Sequence, residues 1–286
     1  MAILVTKFRL KLWPLLLILC FLLTACSRPF FYPDKYIRLT PDKLGINYQD
    51  ISLTTKDGTI LHAWHLLPET KAKGVILFLH GNAENISTHI HNVSWLHEAG
   101  YEILLLDYRG YGRSEGRPTL PEVFQDIDSA AHWLSNRSHV KEIPAYWIGQ
   151  SLGASLSAYY LSHNKVEKLK AVILDAPFAS YQNIGREKFS EFWLTWPLQY
   201  PLSWLIDNRY SPNKAAHKWP KLPLLVFSSS KDRVVPNHHT LKLIDQLQTP
   251  DWKIEHIDTQ DRHTGTYNHS AYRKKTLAFF EQNSGL

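Results

Sequence analysis

The sequence predicts an α/β fold: a mostly parallel central sheet with an antiparallel edge hairpin, helices on both faces and a small cap insertion. Three observations carry this. Short runs such as GVILFLH (74–80), EILLLDY (102–108) and AVILDA (171–176) are continuously apolar, as strands covered on both faces require. Amphipathic windows of helical period separate them. Across 286 residues, 44% hydrophobic and 20% charged composition supplies ample apolar surface for one large core and excludes disorder or a long coiled coil.

Residues 1–25 read as an address. Three cations, Lys7, Arg9 and Lys11, precede an apolar run from Leu12 to Leu23. That run is shorter than the ~20 residues of a spanning helix, so it fits the core of a signal peptide. Leu23-Thr24-Ala25-Cys26 resembles the bacterial lipoprotein processing box. The resemblance implies a diacylated Cys26, lipid-membrane attachment through it, and a place in the bacterial cell envelope, with Ser27 pointing to the outer membrane. Without residues 1–25 the net charge falls from +6 to +3, too mildly basic to argue for nucleic acid. Cys20 and Cys26 are the only cysteines, so neither a disulfide framework nor a cysteine zinc site is expected within the domain.

Residues 26–46, rich in aromatics and prolines, read as an extended tether, with the domain following at 47–286. ISLTTKDGTILHAWHLL (51–67) is a hairpin about the turn dipeptide Asp57-Gly58. Strand 74–80, a helical window at 86–99 and strand 102–108 come next. A helix near 121–135 carries Val123, Ile127, Ala130 and Leu134 on one face. AYWIG (145–149) precedes a helix from Ser151, and AVILDA precedes an irregular stretch. PLLVFSS (223–229), a helix near 237–248, WKIEHI (252–257) and a helix near 269–282 complete the order. Residues 178–220, with three tryptophans between 193 and 204 and prolines at 197 and 201, are too broken for a plain helix and too apolar for a solvated loop. They form the expected cap, and Phe192, Trp193, Trp196 and Trp204 are its candidates to line an acyl pocket.

Gly149-Gln150-Ser151-Leu152-Gly153 stands between a strand and a helix rich in small residues. A serine on so tight a turn projects its hydroxyl for attack, and the flanking glycines let the backbone close. The helix N-terminus favours developing negative charge there. His80-Gly81-Asn82-Ala83, at the end of an upstream strand, supplies a second donor loop. The backbone N–H groups of Asn82 and Leu152 are therefore the expected oxyanion donors, with His80 fixing the loop.

FLHGNAENI (78–86), LLLDYRGYGRSEG (104–116), IGQSLGA (148–154), VILDAPFAS (172–180) and KDRVVP (231–236) together resemble the α/β-hydrolases, specifically the ABHD-type and bud-emergence-type, serine-aminopeptidase-like branch. The resemblance implies a Ser-Asp-His triad, no cofactor and no metal. Asp232 matches the acid of the D-x-x-V-P segment, with Asp175 as competitor. Asp107 and Arg109 read as an ion pair bracing a loop. Three late histidines compete for the base: His263 in a loop, His269 at the last helix and His256 inside a strand. The order Ser151, Asp232, His263 suits the fold. An ester or thioester of a small-molecule acyl substrate is the expected target; the alternatives are an amidase or aminopeptidase with the same triad, or a non-catalytic envelope binding protein on this fold. The histidines contain no His-Glu-x-x-His pattern, and the pair His89 and His91 lacks a third ligand.

Overall fold

The computed structural model describes residues 30–248, 252 and 254–285, so the expected leader and Cys26 lie outside the described residues. The expected hairpin is β1 (Tyr48–Thr54) and β2 (Ile60–Leu66). It is followed by β3 (Gly74–Leu79), β4 (Tyr101–Leu106), β5 (Ala145–Gln150), β6 (Leu169–Asp175), β7 (Leu224–Ser228) and β8 (Glu255–Asp258). The longer helices are α1 (Ile86–Val93), α2 (Leu120–Lys141), α3 (Leu152–Leu161), α4 (Tyr181–Glu191), α5 (Gln199–Trp204), α6 (Asn237–Leu247) and α7 (Ser270–Gln282). In space the strands run β8-β7-β6-β5-β3-β4-β2-β1. The β1/β2 and β2/β4 pairs are antiparallel and every other pair is parallel.

Alternation along the buried strands divides the core. Val75, Leu77 and Leu79 of β3 face the side covered by Val123, Ile127, Ala130 and Leu134 of α2, while Ile76 and Phe78 face the side covered by Ile86, Ile90 and Val93 of α1 and Phe280 of α7. Each Val, Leu, Ile or Phe among these, fully removed from water, contributes about 1.5–3 kcal/mol. The apolar runs have no polar face because both faces are occupied.

The parallel strands carry their C-terminal ends to one edge, where the loops after β3, β5, β7 and β8 meet. Segment 30–46, read from the sequence as an extended tether, packs on the domain. Phe31 and Ile46 are buried, and Tyr32–Pro33 pairs in parallel with Ala83–Glu84 just beyond β3. Asn85 explains the attachment: its amide donates to the carbonyls of Asp34 and Tyr36, while its oxygen caps α1 by accepting from Ser87 N. The chain between β6 and β7 forms α4, α5 and short turns, packed on one another above this edge.

Candidate active site

Ser151 sits at φ 55°, ψ −115°, a left-handed conformation that costs a non-glycine residue about 1–3 kcal/mol. Its surroundings hold it there. Ser151 N donates to Asp175 O at 2.7 Å, and a Cβ on Gly153 would stand 2.2 Å from the carbonyl oxygen of Leu79. On Gly149 a Cβ would meet the backbone of the following helix at 2.7 Å. The two glycines are thus required by the closeness of β3, β5 and α3.

His263 Nε2 lies 2.9 Å from Ser151 Oγ, and His263 Nδ1 lies 2.6 Å from Asp232 Oδ2. Because a carboxylate only accepts, Nδ1 carries the proton and Nε2 is free to accept from the serine hydroxyl. Asp232 is buried and held by two further donors, Val234 N and Val235 N, at 2.8 and 2.9 Å from its Oδ1. The serines 228–230 secure this loop: Ser228 Oγ is 2.8 Å from His256 Nε2, Ser229 Oγ donates to Asp261 O, and Ser230 N donates to Asp258.

The competitors are occupied elsewhere. Asp175 accepts from Gln150 Nε2 and Thr266 Oγ1, and burial raises its pKa. His256 faces Ser228, and His269 is paired with Asp261.

Asn82 and Leu152 both line the cleft at Ser151. Leu152 opens α3, so its N–H belongs to the first-turn amides that have no intrahelical acceptor. His80 is fully buried, its Nδ1 donating to Gly81 O at 2.7 Å while its ring stacks on His89. Burial, with His89 beside it, pushes the His80 pKa well down.

One expected ion pair is corrected. Asp107 and Arg109 do not pair with each other: Asp107 accepts from Ile86 N, whereas Arg109 reaches Asp126 at 2.7 Å and Asp57 at 2.8 Å. Each braces the loop through a different neighbouring element.

A cleft of about 610 Å³ opens over Ser151. Phe30, Phe178, Ile184, Phe189, Ile206 and Val235 give it an apolar wall, and none of its lining residues is acidic. The four aromatics expected there are absent from the lining. Phe192, Trp193, Trp196 and Trp204 are 52%, 77%, 60% and 70% exposed. Phe192 leaves α4 in an extended conformation, and the chain that follows packs back on α4, with Ile206 against Gly185, while these four rings stay in solvent. The wall instead uses the inward stripe of α4, Ile184, Gly185, Lys188 and Phe189. With buried Tyr181 these residues show i, i+3, i+4, i+7, i+8 spacing, a signal that the tryptophans obscured.

Among the described residues one cluster has metal-ligand composition, Glu187 with His238 and His239. Its members satisfy one another, the two Nε2 atoms lying 3.0 and 2.8 Å from Glu187 Oε2. It ties α4 to the start of α6 and takes no part in the Ser151 array.

A hydroxyl, an acceptor imidazole and a buried carboxylate in series, beside first-turn amides, can carry out acyl transfer. Residues 70–219 match the family described as serine aminopeptidase, S33. YfhR of Escherichia coli (strain K12) is 33% identical over 248 residues, covering 83% of each chain. The alpha/beta hydrolase domain-containing protein WAV2 of Arabidopsis thaliana is 31% identical over 212 residues, 72% of this chain and 68% of that one. Among solved structures, the Pyrococcus furiosus esterase Pf2001 shares the fold with a TM-score of 0.71 at 19% identity, covering 90% of this chain and 99% of its own. With the strand order and the residue 70–219 match agreeing, the chain belongs to the serine aminopeptidase, S33, family of the α/β-hydrolase superfamily.

Proposed function

We propose that the protein is a serine hydrolase that cleaves an ester or thioester through an acyl-enzyme intermediate. The observation that carries this is the Ser151–His263–Asp232 series of contacts at 2.9 and 2.6 Å, opening on an apolar cleft. Ser151 Oγ attacks the acyl carbon as His263 Nε2 takes its proton. The oxyanion develops toward the Asn82 and Leu152 amides. His263 then protonates the leaving group, and water enters by the same route in reverse. Asp232 keeps the ring in the working tautomer.

The cleft lining favours this over an aminopeptidase. Gripping a free α-ammonium calls for a carboxylate beside the scissile bond, and the charged residue in the lining is Lys188. That amine is tied to Glu191 and to Arg233 O. The proposal extends to the N-terminus, where Cys26 is read as the lipidated residue that attaches the chain to the bacterial envelope.

A fluorophosphonate probe tests the nucleophile. Labelling that maps to Ser151 and is lost in Ser151→Ala supports the proposal, and a folded protein that does not label overturns it. A panel of ester, thioester and aminoacyl substrates of graded acyl length separates the two activities, with turnover restricted to aminoacyl amides overturning the esterase reading.

A further inference from the structure

The described surface concentrates exposed apolar side chains on the cap. Trp193, Leu194, Trp196, Leu198, Tyr200 and Trp204 are all more than half exposed, and none of residues 192–206 is charged. Exposed apolar side chains this concentrated mark an interaction surface, with the Arg186 guanidinium over the Tyr200 ring at its border. Its composition selects among partners. Indole and phenol rings with one polar atom each suit the boundary between headgroups and acyl chains.

The chain's own course points to the same partner. Phe30 enters the described structure against Tyr181, ring centres 5.0 Å apart, and lines the cleft beside Gly185. Gly185 precedes Phe192 by seven residues, about 10 Å of helix rise. Upstream, residues 12–23 are an uncharged apolar run, and only six residues separate Leu23 from Phe30. Fully extended, that link spans at most about 25 Å. A bilayer holding residues 12–23, or acyl chains on Cys26, would then lie within about 25 Å of the cleft mouth and about 35 Å of the start of the cap's aromatic stretch.

We propose that this cap face docks on a lipid bilayer, turning the Ser151 cleft toward the acyl layer so that the substrates are acyl esters drawn from the membrane. The substrate half rests on the serine-hydrolase reading, whereas the docking half rests on the surface and the entry point of the chain.

The test uses the full chain on phosphatidylcholine and phosphatidylglycerol vesicles containing brominated acyl chains, which quench nearby indoles. Wild type should show a quenched fraction of tryptophan emission that falls in the Trp193→Ala/Trp196→Ala/Trp204→Ala variant. Leu198→Glu, which keeps all three indoles, should lower it as well. Hydrolysis of a vesicle-borne long-chain ester should drop at least about 10-fold in both variants, while hydrolysis of a soluble acetyl ester changes less than about 2-fold. Quenching is read without turnover, so an inactive Ser151 and an undocked cap give different results. An unchanged or higher quenched fraction in the triple variant overturns the docking surface. Self-association of the wild type that the same substitutions abolish, without loss of quenching, assigns the face to a second copy and also overturns it.

Discussion

A serine hydroxyl becomes a useful nucleophile only when a base is aligned to receive its proton, and here that alignment depends on which nitrogen of His263 carries hydrogen. Asp232→Asn should keep the fold but offer a donor where Nδ1–H needs an acceptor. The ring then turns its proton toward Ser151, and kcat should fall about 10⁴-fold. Ser151→Ala should cost about 10³–10⁶-fold with unchanged thermal midpoint, because the glycines set the turn and the lost hydroxyl is hydrogen-bonded to His263. His269→Ala should stay within a few-fold of wild type, since its partner is the exposed side of Asp261. Steady-state kinetics on one soluble ester reads all three. Much of this array was legible in the sequence, because Gly149, Ser151 and Gly153 at a strand-to-helix junction state a steric requirement, and because the acid and base follow later strands in a fixed order. The pairing of Arg109 was not. Asp126 lies on a helix seventeen residues away, and only the packing of α2 on the sheet brings it to the guanidinium.

Helix α4 supplies four of the residues that line the cleft. Its inward stripe forms the cleft wall, and its outer end is latched by Glu187 to His238 and His239. Ile184→Trp adds bulk to that wall, so it should shift the preferred acyl chain to shorter lengths while acetyl-ester turnover changes less than about 10-fold. Each methylene excluded from the apolar wall forfeits about 0.8 kcal/mol of transition-state binding. Rates across a series of p-nitrophenyl esters measure this, and an unshifted optimum would remove α4 from the specificity wall. Glu187→Ala frees both imidazoles and unlatches the cap, so the Michaelis constant for long-chain esters should rise more than kcat falls. The existence of a cap was readable from broken helical signals between two strands. Its orientation was not, because aromatic count does not tell which side chains face the cleft, and there the wall is built from α4 and Ile206 while the tryptophans stay exposed.

At the scale of the whole molecule, buried imidazoles make stability a function of pH. Burial is the leading cause of lowered pKa values at His80, His89, His239 and His256, reinforced at His80 by the adjacent His89. The sign follows from proton counting. Above the ordinary imidazole value of 6.5 both folded and unfolded chains hold these rings neutral. As the pH falls through 6.5 the unfolded chain takes up protons that the folded chain refuses, so stability present at neutral pH is progressively lost until each folded pKa is reached. Each such ring contributes at most about 1.4 kcal/mol per pH unit in that window. Asp107 and Asp175 act in the opposite sense. Burial raises their folded pKa values, so their contribution is greatest in acid and is lost as the pH rises from 3.8 through those values. Asp126, which burial pushes up to about 6, opposes the histidines within this window, and four such imidazoles outnumber it just below pH 6.5. Urea midpoints measured from pH 7.5 down to 5.5 should fall steadily, and His80→Asn should flatten that fall even if it lowers the midpoint at pH 7.5. A slope in His80→Asn equal to that of wild type would show that His80 binds protons alike in the folded and unfolded chains, and a steeper one would show that Asp107, 3.5 Å from its Nε2, holds a proton on the folded ring.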